Sequence, residues 1–310
     1  MDGILSKTAA VVLLSYALVC FAGQPARAAE LKKETAAAFE RYVDASNARI
    51  NTEVHSESFL FIDGLQEKSR MQAYAKVRQG DVQLKQEETQ EEGHPFAIPH
   101  GLIYDWIGVL FIPNASLKQA LAVVQDYDNY QNIYKPAIRH SRLLSRNGDS
   151  FKISLQLYRR SPVTVVIDAG FDIVYDRLGA DRTVSRSYST RLAEVENAGQ
   201  SDEREMPSDA AHGYLWRLVD YWRFEEKDGG VYVQLESIGL SRSVPDILGW
   251  LINPLLRSIP RGILSSLLGA TRTEVVHRVA RANSRGQKEY SMLDAKLIQG
   301  LQVTANISDR

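Results

Sequence analysis

Asp220 is the residue whose setting most demands explanation. It lies among apolar residues at every second position, Trp216, Leu218, Trp222 and Phe224, in a stretch that alternates like a β-strand. A carboxyl group on an apolar face needs hydrogen bonds or a shifted pKa. There it orients a ligand head group or acts as an acid/base; the plainer reading is a strand edge or bulge where it reaches water. Enzyme sites converge several ionisable groups, but this apolar face offers one carboxylate and no histidine. The histidines, His55, His94, His100, His140, His212 and His277, are scattered and lack metal-binding spacing. No metal site and no cofactor is expected. G-x-S-x-G, P-loop and G-x-G-x-x-G patterns are missing. Arg139, Arg142 and Arg146 read as a solvated edge rather than a phosphate site.

The single cysteine, Cys20, sits inside an apolar run from Thr8 to Phe21 that follows Lys7 and precedes Ala26-Arg27-Ala28. A basic start, a short apolar core and an A-x-A site describe a secretory leader. The run is shorter than the roughly 20 residues of a membrane-spanning helix. The expectation is export to the periplasm or the extracellular space after cleavage of residues 1–28, with a retained N-terminal anchor as the alternative. Val19 before Cys20 argues against lipidation. The mature chain would lack cysteine, which excludes disulfides, thiolate catalysis and thiolate-ligated metals. Its formal charge moves from −1 to −2 with the loss of Lys7, Arg27 and Asp2, so no nucleic-acid partner is expected.

The elements that would position Asp220 are partly readable. Helical spacing runs from Leu31 to Ile50 and from Leu65 to Val77, and Val82 to Thr89 begins to alternate. Gly101 to Ile112 is β-like, and Ser116 is an N-cap for a helix to about Gln125. Phe151 to Leu157 and Val163 to Ala169 alternate around Ser161-Pro162, so that pairing Leu157 with Val163 puts their apolar members on one face. A strand follows from Thr183 to Val195. Tyr214 to Glu226 and Val231 to Ser241 form a hairpin around Lys227-Asp228-Gly229-Gly230. Pairing Glu226 with Val231 sets Asp220 opposite Ser237 and puts Leu218, Trp222 and Phe224 beside Val233 and Leu235. The other face carries Arg217, Arg223, Glu225, Gln234 and Glu236 and reads as wet. A long helical region from Pro245 to about Ala282, interrupted at Pro254 and Pro260, follows. The tail 283–310 is polar.

Three stretches resemble the SRPBCC (START-like) superfamily, which includes polyketide cyclase-like and coenzyme Q-binding proteins. They are Val124-Gln125-Asp126-Tyr127-Asp128-Asn129-Tyr130 with Ile133-Tyr134-Lys135-Pro136; Gly213-Tyr214-Leu215-Trp216-Arg217 leading to Tyr221-Trp222-Arg223-Phe224; and Leu240-Ser241-Arg242-Ser243-Val244-Pro245 with Leu248-Gly249-Trp250-Leu251 and Ser258-Ile259-Pro260-Arg261. The resemblance covers roughly 82–282, after an N-terminal helical region at 29–81. It implies an α+β helix-grip fold, a curved antiparallel sheet around a long C-terminal helix. It also implies an apolar cavity between the two. The proline interruptions depart from the family's unbroken final helix.

On that resemblance the ligand-cavity candidates are Trp216, Leu218, Asp220, Trp222, Phe224 and Leu235 from the hairpin, with Trp250, Leu251, Leu255 and Ile259 from the closing helix. Each apolar one serves equally as ordinary core. Tyr127, Tyr130 and Tyr134 rim a cavity mouth or build a structural turn. The function expected is non-catalytic binding of a lipid, quinone or other hydrophobic small molecule, with transient membrane contact. The alternatives are a polyketide cyclase/dehydratase-like enzyme using Asp220, or an interaction module of the cell envelope docking through the N-terminal helices. Gly249, Pro254 and Pro260 weaken a helix that Leu248, Trp250 and Leu251 would hold down by burial. The segment 246–259 then acts as a gate or is a kinked core helix.

Overall fold

The computed structural model describes residues 30–91, 93–160, 164–243 and 259–284. The leader and most of the gate segment, including Trp250, Leu251 and Leu255, lie outside them.

Two helices come first, α1 (Lys33–Val54) and α2 (Glu67–Arg78). The buried residues of α1, among them Phe39, Tyr42, Val43, Ser46 and Ile50, recur three and four apart, which gives it one apolar stripe. Strand β1 (Gln83–Gln86), a small β2 (Gln90–Glu91) and β3 (His94–Pro95) pair, and the long β4 (Gly101–Pro113) follow. Ser116 then caps α3 (Leu117–Val124). The Gln119 N–H donates to the Ser116 hydroxyl at 3.3 Å and the Ser116 N–H to the Gln119 side chain at 2.8 Å, a reciprocal capping box. A turn and the short α4 (Tyr130–Ile133) lead into β5 (Ile138–Asn147), β6 (Ser150–Arg159), β7 (Val165–Arg177), β8 (Arg182–Glu196), the minor β9 (Arg204–Glu205), β10 (Arg217–Lys227) and β11 (Gly230–Arg242). The last described helix, α5, spans 259–284.

Among the described residues the main sheet is antiparallel, in the order β1-β4-β11-β10-β8-β7-β6-β5, with β9 attached to β8. The first long strand, β4, therefore lies beside the last, β11, from Gly101–Arg242 to Pro113–Gly230. The hairpin register matches the sequence expectation, with Glu226 opposite Val231 and Asp220 opposite Ser237.

One face of the sheet, here the inner face, packs on α3 and on Leu264, Leu268 and Val275 of α5. The helix approaches closely at Gly108 of β4. A Cβ there would lie 2.7 Å from Leu268 Cδ1, 2.8 Å from Leu84 Cδ2 and 3.1 Å from Leu264 Cδ2. Any larger residue there would require these leucine side chains to shift.

The outer face corrects the expectation of a wet surface. Arg223, Glu225, Gln234 and Glu236 are 1%, 2%, 0% and 0% exposed. The apolar stripes of α1 and α2 and the turn containing Phe59, Leu60 and Ile62 cover them. Alternation within a strand cannot reveal a layer that brings its own charges. Arg49 pairs with Glu236, Arg223 donates to Glu53 at 2.6 Å and to the Phe59 carbonyl at 2.8 Å, and the Phe61 N–H donates to Gln234 at 2.7 Å. These bonds offset part of the desolvation of the charges, while Arg223 Nε, Gln234 Nε2 and Glu236 Oε2 stay buried without a hydrogen-bond partner. Asp105, beside them on β4, accepts a 2.9 Å bond from the Tyr42 hydroxyl. Burial, and then the neighbouring Glu236 carboxylate, raises its carboxyl well above the usual range.

Two further differences concern β5 to β7. Leu157 pairs with Ile167 rather than Val163, a shift of four residues. An even shift keeps every side chain on its face, so the apolar pattern survives while the turn lengthens. Strand β5, read from sequence only as a charged edge, is a full edge strand bulged at two places against β6.

Candidate functional site

Burial along β10 runs opposite to the amphipathic pattern. Val219, Tyr221, Arg223 and Glu225, facing outward, are buried, whereas the inner-face residues Leu218, Asp220 and Trp222 are only half-buried. Phe224 and Leu235, next along the inner face, are fully buried core at 0% and 1% exposure. The inner face is thus closed at one end and opens toward the other.

Sheet register shows how far the opening extends. Asp220 lies beside Ser237, which lies beside Trp106 of β4; Leu218 lies beside Gly239 and Tyr104. On the far side of β10, Asp220 neighbours Ser187 of β8. Trp106, Leu218, Trp222, Leu192 of β8 and Leu157 of β6 are partly buried against the inner core. Together they form an apolar strip across the sheet, with its polar members grouped at Asp220, Ser237 and Ser187. The contact at Gly108 fixes α5 over β1 and β4, one register row beyond Trp106, so the described part of the helix closes the strip at that row. Ile259, the first described residue of α5, is half-buried.

Within the strip the Ser237 hydroxyl donates to Asp220 Oδ1 at 2.5 Å. Burial pushes the Asp220 carboxyl up to about 6, against the lowering effect of that bond. The Trp106 indole N–H is buried without a hydrogen-bond partner, a donor whose desolvation is uncompensated. The strip can therefore offer an indole donor and a carboxyl that donates or accepts according to pH, set in apolar surroundings. No group of metal-ligating side chains occurs among the described residues, nor any helix long and apolar enough to cross a membrane.

Of the residues predicted from sequence, Leu218, Asp220 and Trp222 meet in the strip. Phe224 and Leu235 pack beneath it. Trp216 departs from the expectation: it precedes β10, donates its N–H to the Leu240 carbonyl at 2.7 Å and packs against the outer cluster. Outside the regular strand, alternation no longer governs its side. The tyrosines build a turn rather than a rim. Tyr127 and Tyr134 are buried; Tyr127 bonds the Tyr175 hydroxyl at 2.9 Å and Tyr134 bonds Thr271 of α5 at 3.1 Å. Sequence reasoning missed Trp106, Leu157 and Leu192. Trp106 was obscured because β4 is apolar on both faces.

The sequence matches no family model and no curated protein. Among solved structures it is similar to the STAR-related lipid transfer protein of Xanthomonas axonopodis, at 16% identity and a TM-score of 0.40, covering 60% of this chain and 98% of that one. It is similar also to the Zhui aromatase/cyclase of Streptomyces sp. R1128, at 13% identity and a TM-score of 0.41, over 57% and 96% of the two chains. A third similar structure is the human StarD13 lipid transfer and protein localization domain, at 11% identity and a TM-score of 0.41, over 67% and 96%. At these values each is a likeness only. In its own geometry, with β4 beside β11 and one sheet face closed by a C-terminal helix, the chain has an α+β, helix-grip arrangement.

Proposed function

We propose that the protein is an exported carrier that binds a lipid, quinone or other hydrophobic small molecule on the inner face of its sheet, without catalysing a reaction. The observation that carries this reading is the inverted burial of β10, whose apolar-face residues Leu218 and Trp222 are more open than its charged face. An apolar strip of this kind with a few polar groups has the make-up of a small-molecule site. Asp220, Ser237 and the unpartnered Trp106 indole would orient the polar end of the ligand. Export rests on the leader pattern of residues 1–28. Native mass spectrometry of the protein purified from the envelope fraction tests both points. The expected species lacks the leader and carries a lipid-sized adduct that solvent extraction removes; a chain retaining Met1 and free of adduct refutes the reading.

A second reading, a cyclase- or dehydratase-like enzyme, is favoured by the Asp220 carboxyl near 6, close to the operating range of a general acid or base. Turnover abolished in Asp220→Asn would favour it. The docking role for the N-terminal helices is weakened because their apolar stripes are already buried against the sheet.

A further inference from the structure

A second opening adjoins the far end of the strip, where Ile138 in its wall pairs with Leu157. A cavity of about 510 Å3 sits where β5 begins and β6 ends, and its walls include Gln131, Lys135, Arg139, His140, Tyr158 and Thr164. No acidic side chain lines it. The cationic groups come from separate elements, Lys135 from the turn after α4 and Arg139 from the start of β5.

Two neighbours crowd the Arg139 guanidinium. Its guanidinium lies over the Tyr158 ring, 5.6 Å from the centroid. A Cβ at Gly199 would lie 3.4 Å from its Nη2. The Tyr158 N–H donates to the Ala137 carbonyl at 2.8 Å, which ties β6 to the segment carrying both cations. Neither Lys135 nor Arg139 forms an ion pair among the described residues. Glu203 is the acid that Arg139 and His140 influence. Its carboxyl is lowered first by the Gly199 N–H and next by Gln156, with Arg139 and His140 contributing less. Its oxygens are engaged by the Gly199 N–H and, at 3.1 Å, by Gln156 Nε2.

We infer that this cavity binds a phosphoryl group. The lining brings together a guanidinium fork, an ammonium, an imidazole and the Thr164 hydroxyl, donors of the kind that the several oxygens of a phosphoryl group take. Arg142 and Arg146, further along the same edge strand, are exposed and account for edge protection without any cavity. Ile138 of the lining pairs with Leu157 of the strip, and a lipid phosphate and a soluble phosphate ester share the phosphoryl chemistry inferred here. The inference goes beyond the inner-face reading and does not depend on it.

The test uses the full mature chain with two probes. One is glycerol phosphate, followed by calorimetry; the other is vesicles of phosphatidylcholine with and without phosphatidylglycerol, followed by flotation. Arg139→Gln and Lys135→Gln are each expected to weaken binding about tenfold, the loss of one charge-assisted hydrogen bond, whereas Arg146→Gln leaves it unchanged. Binding of the soluble ester identifies a free phosphate as the source. Binding only of the anionic vesicles, with the same pattern among the variants, identifies a lipid headgroup. The inference is overturned if neither probe binds, or if Arg146→Gln weakens binding as much as Arg139→Gln does. Lys135 is exposed, so its variant remains readable should Arg139→Gln fail to fold.

Discussion

At the scale of single residues, burial of Asp220 makes its protonation part of the folding equilibrium. Its carboxyl is raised from the usual 3.8 to about 6. The folded state therefore holds the proton more tightly than the unfolded chain. The stabilisation from that proton is complete below about pH 4 and is lost as pH rises through about 6. Asp220→Asn keeps an acceptor for Ser237 and removes the titration. It is expected to stabilise the protein near neutral pH by about 1–2 kcal/mol, a value discounted for partial solvent access, and to flatten the acid-side dependence. Urea unfolding at acidic and neutral pH measures both. Asp220, Leu218 and Trp222 were legible in the sequence because a regular antiparallel strand fixes side by parity. Trp216 was not, because it lies just outside the strand, and Trp106 was not, because β4 is buried on both faces.

Among the elements, the seating of α5 depends on one missing side chain. Gly108→Val would place methyl groups where Leu264, Leu268 and Leu84 already lie. Overpacking of this kind costs about 1–3 kcal/mol, and the helix should shift from the sheet rather than the strand from its ladder. A lowered thermal midpoint, together with increased amide exchange in 259–284 but not in β4, is the expected result. Ser116 and the turn residues of the β10–β11 hairpin were readable because caps and tight turns have local chemistry. Strand β5 escaped reading because its charged side chains and two bulges break the alternation. The register of β6 against β7 was misplaced by four residues because the parity of apolar positions is blind to an even shift.

For the molecule as a whole, the sheet is the middle of three layers. The sequence suggests a boundary between a helical region at 29–81 and a domain at 82–282, but the outer face of the sheet carries Arg223 and Glu236, whose partners Arg49 and Glu53 belong to α1. A chain beginning at residue 82 would expose Val219, Tyr221 and Tyr232 and strand those charges. Removing one side of a buried ion pair costs about 3–5 kcal/mol, a large share of a typical domain's stability of about 5–15 kcal/mol. Such a chain is expected to aggregate or unfold, whereas a chain from residue 30 remains folded; circular dichroism and size-exclusion chromatography distinguish the two. The layering was hidden because the pattern of one strand records polarity and says nothing of what covers it.

The row at Gly108 also gives the proposed binding strip a ruler. Strands lie about 4.8 Å apart and rise about 3.3 Å per residue, so the five steps from β4 to β6 cover roughly 24 Å, and the six residues from Phe151 in the Trp106 row to Leu157 add roughly 20 Å along the strands, with α5 fixed at one end. A homologous series of ligands laid across those strands would gain affinity by about 0.8 kcal/mol for each added methylene that is fully buried. The gain would stop once the tail passes Leu157 at the far end.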